Sequence, residues 1–136
     1  MHQSLASSSS FLRARFSHHL VLNMEEEKEH KKIAWINIIE TNFGKILAAC
    51  DKELLGKTLK RGDIEITVSK SFYGGELVDE RRLVYTMLDA DVLNLIGNEV
   101  VRIAKELGLI SEDAIIFFDD EESKKIPHAQ MYRFYL

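Results

Sequence analysis

"ADVLNLIGNEVVRIAKELGLI", residues 90–110, changes its hydrophobic period partway along. Val92, Leu93, Leu95 and Ile96 make a short apolar run of strand type, and Gly97 breaks it. From there Val100, Val101, Ile103, Ala104 and Leu107 fall on one helical stripe. Asn98 can cap this helix, and Gly108 stands where a helix C-terminus favours a left-handed residue.

Working outward, "IAWINII" and "KILAAC" are β-branched or apolar runs of strand length joined by the turn residues "TNFG", which predicts a hairpin. "DKELLG" fits one helical turn ended by Gly56. "DIEITVS" alternates, placing Ile64, Ile66 and Val68 on one face of a half-buried strand and Glu65, Thr67 and Ser69 on the other. After "FYGG", Asp79 suits an N-cap, Glu80 the positive end of the helix dipole, and Val78 with Leu83 a hydrophobic staple. The helix runs from Asp79 to Asp89 with Leu83, Val84, Met87 and Leu88 on its apolar stripe and Arg81, Arg82 and Thr86 facing elsewhere. "AIIFF" and "AQMYRFYL" read as two further strands across the polar link "DDEESKKIPH". This order implies an α+β domain, a two-layer α/β sandwich of one mixed sheet with two helices packed on one face.

A chain of 136 residues with 46% apolar content is one domain's worth. It has no apolar run of spanning length, so no membrane partner is expected. Residues 33–136 are assigned to the domain. Residues 1–32 are an extension, disordered or mis-annotated: residues 1–23 hold a serine run, Arg13 and Arg15 and no acid, the composition of a transit peptide or of sequence upstream of a true start at Met24. Residues 1–23 carry +2, residues 24–32 carry −1 and the remainder −5. A body at −5 is a poor general polyanion binder, so any RNA contact must be a local patch. The single cysteine, Cys50, excludes an internal disulfide or a cysteine-based metal centre and fits a reducing cytoplasm.

"AACDKELLGKTL", "FYGGEL", "NLIGNEVVRIAKELGLI" and "IPHAQ", in that order over residues 33–136, resemble domain-of-unknown-function family 424, an archaeal family. The resemblance implies a small, single-domain α/β protein of archaeal origin, favours Met24 as the start, and supplies no activity. One departure is the link "DDEESKK" before "PHAQ", where the family pattern is shorter and contains glycine.

Four places can hold a ligand. The pair Gly74 and Gly75, after Phe72 and Tyr73, can aim backbone N–H groups at an anion, or simply turn the chain. Gly97 and Asn98 open a helix whose free N–H groups suit an anion, while Asn94, in an apolar run, needs hydrogen-bond partners; the ordinary alternative is a turn with a bracing amide. No GxGxxG or P-loop pattern is present, and no cofactor is expected. His128 enters the last strand stiffly behind Pro127, on the same side as Gln130; it suits a base or a ligand contact, but no nucleophile pairs with it, so no catalytic residue is assigned. It is the one histidine of the body, so no metal site is expected. Last, Lys57, Lys60, Arg61 and Lys70 adjoin Phe72 and Tyr73, as charges and rings do in single-stranded RNA recognition; a solvated turn is the alternative.

The expectation is therefore a small cytoplasmic binding protein, not an enzyme, with RNA or ribosome-associated proteins as partners. The resemblance adds an association with archaeal information processing. The first alternative is an enzyme or sensor that binds a phosphate- or carboxylate-bearing small molecule where "FYGG", Gly97 and His128 converge. The second is a protein-interaction module using a strand edge near Tyr132, Phe134 and Tyr135.

Overall fold

The computed structural model describes residues 30–133. The readings of residues 1–29 and of Phe134 and Tyr135 lie outside them. Among the described residues, those from Lys32 to Arg133 belong to one compact unit.

Eight strands make one mixed sheet: β1 (Lys32–Thr41), β2 (Gly44–Asp51), β3 (Thr58–Arg61), β4 (Ile64–Thr67), β5 (Glu76–Asp79), β6 (Val92–Ile96), β7 (Ile116–Asp119) and β8 (Lys125–Tyr132), in the spatial order β4-β3-β7-β8-β6-β2-β1-β5. The helices are α1 (Lys70–Tyr73), α2 (Glu80–Asp89) and α3 (Asn98–Glu106). β2 and β6 pair in parallel and every other described pair is antiparallel.

The hairpin expected around "TNFG" is present, with Asn42 and Phe43 turning between the paired Thr41 and Gly44. "DKELLG" supplies a 3-10 turn at Lys52–Leu54. Because strand side chains alternate, the central strands bury both faces. Ala34, Ile36, Leu47, Ala49, Leu93, Leu95 and Ala129 lie on a first face under α2 and α3, which add Leu83, Met87, Val100, Val101, Ile103 and Ala104. The second face carries another core: Ala48, Cys50, Ile96, Phe118 and Ile126 meet Leu59 and Val68 from the β3–β4 segment and Tyr73 from α1.

That second core corrects the simple picture of helices on one face only. Several elements depart from the reading by sequence. β3 precedes Gly62 as the hairpin partner of β4, in a stretch read as a turn. β4 forms an outer edge, so Ile64 is 58% exposed although Ile66 is half-buried and Val68, just past the strand, is buried. "KSFYGGELVD" is not one tight turn: Ser69 caps α1 by accepting from Phe72 N–H, and β5 then adds to the free side of β1. On α2, the Asp79 carboxylate accepts from Arg82 N–H at 2.9 Å as expected. Thr86 is buried, however, with its hydroxyl donating to Leu83 C=O at 2.9 Å, and Leu88 is half exposed. A helical hydroxyl bonded back to its own turn hides its polarity, which let a residue read as surface enter the core. β8 begins five residues before Gln130, so "KIPH" is strand and the connecting turn shrinks to Asp120–Lys124, whose Asp120 carboxylate accepts from Glu122 and Lys124 N–H.

Candidate functional site

The register places a row of polar side chains across the second face. Asn37 on β1 pairs with Ala48 on β2, Ala48 with Asn94 on β6, and Asn94 with Gln130 on β8. All three amides therefore project from the same side. Tyr73 reaches this row from α1, and its hydroxyl donates to Asn94 Oδ1 at 2.7 Å. Burial pushes the Tyr73 phenol up, so it remains a donor at any physiological pH. Asn37 Nδ2 donates to Phe72 C=O at 2.9 Å and pins α1 from the other side. Asn94 Nδ2 is left without a protein acceptor among the described residues, half-buried and flanked by Gln130, whose Oε1 accepts from Tyr132 hydroxyl at 3.4 Å.

Below this row lies another, Ile39, Ile46, Val92 and Tyr132, half-buried except for Tyr132 at 55% exposure. Above it lie Trp35, Cys50, Ile96 and His128. His128 is half-buried, stacked edge-on to Phe118 with centroids 6.0 Å apart, and burial lowers its pKa, so it is neutral at pH 7. Burial pushes the Cys50 thiol up to about 12, which keeps it un-ionised and inert.

Tyr73, Asn94, Gln130 and His128 thus share one face. Gly74 and Gly75 do not join them as an anion cradle. Neither has a positive φ, and their N–H groups are committed: Gly74 donates to Lys70 C=O at 2.9 Å, Gly75 to Ile36 C=O at 3.1 Å. Close approach is what selects glycine here, because a Cβ on Gly75 would lie 2.6 Å from the Ile36 carbonyl oxygen. Phe72 is half-buried against Tyr73 at 4.9 Å, and it is Tyr73 that enters the core.

Gly97 and Asn98 belong to the opposite face, and their anion site is already filled from within. Asp51, the last residue of β2, is 4% exposed, and its carboxylate accepts from Glu99 and Val100 N–H at 3.0 Å each. Asn98 is the first helical residue and not the cap; Gly97 at φ 125 swings α3 so that its N-terminus meets Asp51. Burial pushes the Asp51 carboxyl up to about 6 against the opposing pull of those two N–H donors.

The four basic residues do not form one patch. Lys60 and Arg61 are successive strand residues and point to opposite faces; Lys60 lies 3.7 Å from Glu65, and Arg61 donates to Phe117 C=O at 3.1 Å. The Lys70 stem passes over Gly56, the residue before Lys57, at 3.7 Å from its Cβ position. Neither lysine makes an ion pair among the described residues. No cluster of three or more His, Cys, Asp or Glu able to hold a metal occurs among those residues, and no helix there is long and apolar enough to cross a membrane.

A family model described as "Protein of unknown function (DUF424)" matches residues 38–134. The chain belongs to DUF424. The match takes in Tyr73, Asn94, His128 and Gln130. A solved structure similar to this DUF424 chain is that of an uncharacterized conserved protein from Methanopyrus kandleri, 27% identical with a TM-score of 0.56, covering 76% of this chain and 96% of that one. No curated protein matches.

Two polar residues that fix the arrangement, Asn37 on the second face and Asp51 on the first, escaped sequence reading. Asn37 interrupts the apolar run "IAWINII" as Asn94 interrupts "VLNLI", and the shared signal is a lone amide in a strand that otherwise has no polar inward residue. Asp51 reads as the start of a helical turn, and only the parallel pairing of β2 with β6 shows that it caps α3.

Proposed function

We propose that this protein is a binding protein whose ligand surface is the amide row of the second face, and that the ligand is RNA with unpaired bases. The observation that carries the reading is the fixing of Asn94 Oδ1 by Tyr73, which leaves a half-buried amide N–H₂ without a protein acceptor among the described residues. Side-chain amides match the hydrogen-bonding edges of bases, and the half-buried Ile39, Ile46 and Val92 with the exposed Tyr132 ring can receive their flat surfaces. Lys57 and Lys70 supply charge for a short length of backbone. Two cations are few, and base contacts carry most of the affinity in this reading. A phosphate- or carboxylate-bearing small molecule is the weaker alternative, because Gly74, Gly75 and the start of α3 have committed their N–H groups.

Fluorescence anisotropy of a labelled, mixed-sequence single-stranded RNA tests this. Asn94→Ala should weaken binding about tenfold, the loss of roughly 1.4 kcal/mol. Lys57→Glu with Lys70→Glu should weaken it further, and Lys60→Glu should change little. The salt slope should be shallow, about −1.4 for two neutralised phosphates on a single strand. Absence of binding, or binding indifferent to Asn94→Ala, overturns the reading.

A further inference from the structure

β1 is ten residues long, and its outer neighbour β5 is four. Their register ends at Ile36 opposite Glu76, and Gly75 N–H closes it on Ile36 C=O. From Asn37 to Thr41 the outer side of β1 has no strand beside it among the described residues. Alternate residues of an antiparallel strand direct both N–H and C=O to the same side. Since Ile36 faces outward, so do Ile38 and Glu40, whose four backbone groups no strand among the described residues pairs. Edges of this kind are ordinarily protected by lysine, proline or a bulge. This one carries Ile38, 38% exposed, half-buried Ile39 and Glu40, and ends beside Phe43 at 98% exposure.

We propose that this edge is a homodimer interface, pairing antiparallel with the same edge of a second copy about a two-fold axis at Ile39. The alternatives are poorer on the same geometry. An axis at Ile38 would set Glu40 opposite the second copy's Ile36, whose carbonyl already accepts from Gly75. An axis at Glu40 would oppose two carboxylates, which is destabilising. With the axis at Ile39, Ile38 exchanges both hydrogen bonds with the second copy's Glu40, and Glu40 does the same with its Ile38, so all four groups are satisfied. The two Ile39 side chains then form a non-hydrogen-bonded pair, the closest kind of cross-strand contact. Each Ile39 sits beside Ile46 of its own chain, so the contact joins two apolar rows across the axis. Glu40 keeps Lys45 as its cross-strand neighbour within its own chain, so the apposition of an isoleucine does not isolate its charge.

Sedimentation equilibrium of the full chain should show a reversible monomer–dimer equilibrium. Ile39→Lys, which opposes two ammonium groups at the axis, and Glu40→Pro, which removes an outward N–H but no bond to β2, should each weaken the dimer at least tenfold while circular dichroism stays native. Ile39→Cys should give a covalent dimer under mild oxidation, whereas the wild type, with Cys50 buried, should not. A monomer at all concentrations overturns the proposal, as does a dimer that Glu40→Pro leaves intact or that Ile39→Cys fails to cross-link.

Discussion

Gly97 meets two requirements at once. Its φ of 125 is a conformation that side chains rarely adopt, and a Cβ there would fall on the Asp51 carboxyl group that caps α3. Gly62, at φ 60, has open space around its Cβ position. Gly62→Ala should therefore cost only the backbone term, about 1 to 2 kcal/mol, whereas Gly97→Ala adds displacement of a buried cap and should cost more than about 3 kcal/mol. Urea denaturation of the two variants measures the difference; equal losses would mean that Asp51 moves aside freely. Asp51 also gives the fold a pH signature. Its folded pKa of about 6 lies above the ordinary 3.8, so its contribution is complete below about pH 4 and is lost as pH rises through 6. Over that interval the wild type should lose on the order of 3 kcal/mol relative to Asp51→Asn. A carboxyl carbon chemical-shift titration with a midpoint near pH 4 would contradict this.

Elements with their own period were legible in the sequence: α2 and α3 from their stripes, the β1–β2 hairpin from its turn residues, β6 from the short run ahead of Gly97. β3 and β5 were not, and for the same reason. Each is four residues long and joins the sheet at its margin, so what makes it a strand is the neighbour it pairs with and not its own pattern. The site was legible in part. Asn94, His128 and Gln130 stood out as polar residues in strand runs, yet the alignment of Asn94 and Gln130 in one row with Asn37, and of His128 in the next row on the same face, depends on register, which a single chain does not display. The structure's weakest joint is also an element-level property: β3 meets β7 through one residue pair, Lys60 opposite Asp119. In native-state hydrogen exchange β3 and β4 should open well before β2 and β6, at a free energy below global unfolding. Equal protection throughout would show the hairpin to be held by the second core alone.

Across the whole molecule, the two faces divide the labour. The first face is closed by α2 and α3 and holds Asp51 and the start of α3 in a satisfied arrangement. The second is closed at one end by α1 and the β3–β4 hairpin, while at the other, among the described residues, Ile39, Ile46 and Val92 stay half-buried and Tyr132 exposed, so the amide row lies between the two. The parallel contact of β2 with β6 sets a further condition, on the time course of folding. Its partners are separated in the chain by β3, β4, α1, β5 and α2, and β8 must arrive last to link β6 with β7. Pairings so distant in sequence are slow, because a long loop must close before they return any stabilisation. During synthesis the β1–β2 hairpin emerges early and waits for the centre of its sheet, with apolar Leu47 and Ala49 uncovered until β6 and the helices reach them. A nascent chain stalled before β8 would therefore present an incomplete sheet to chaperones, and shortening the chain from that end should harm yield more than shortening it before Lys32.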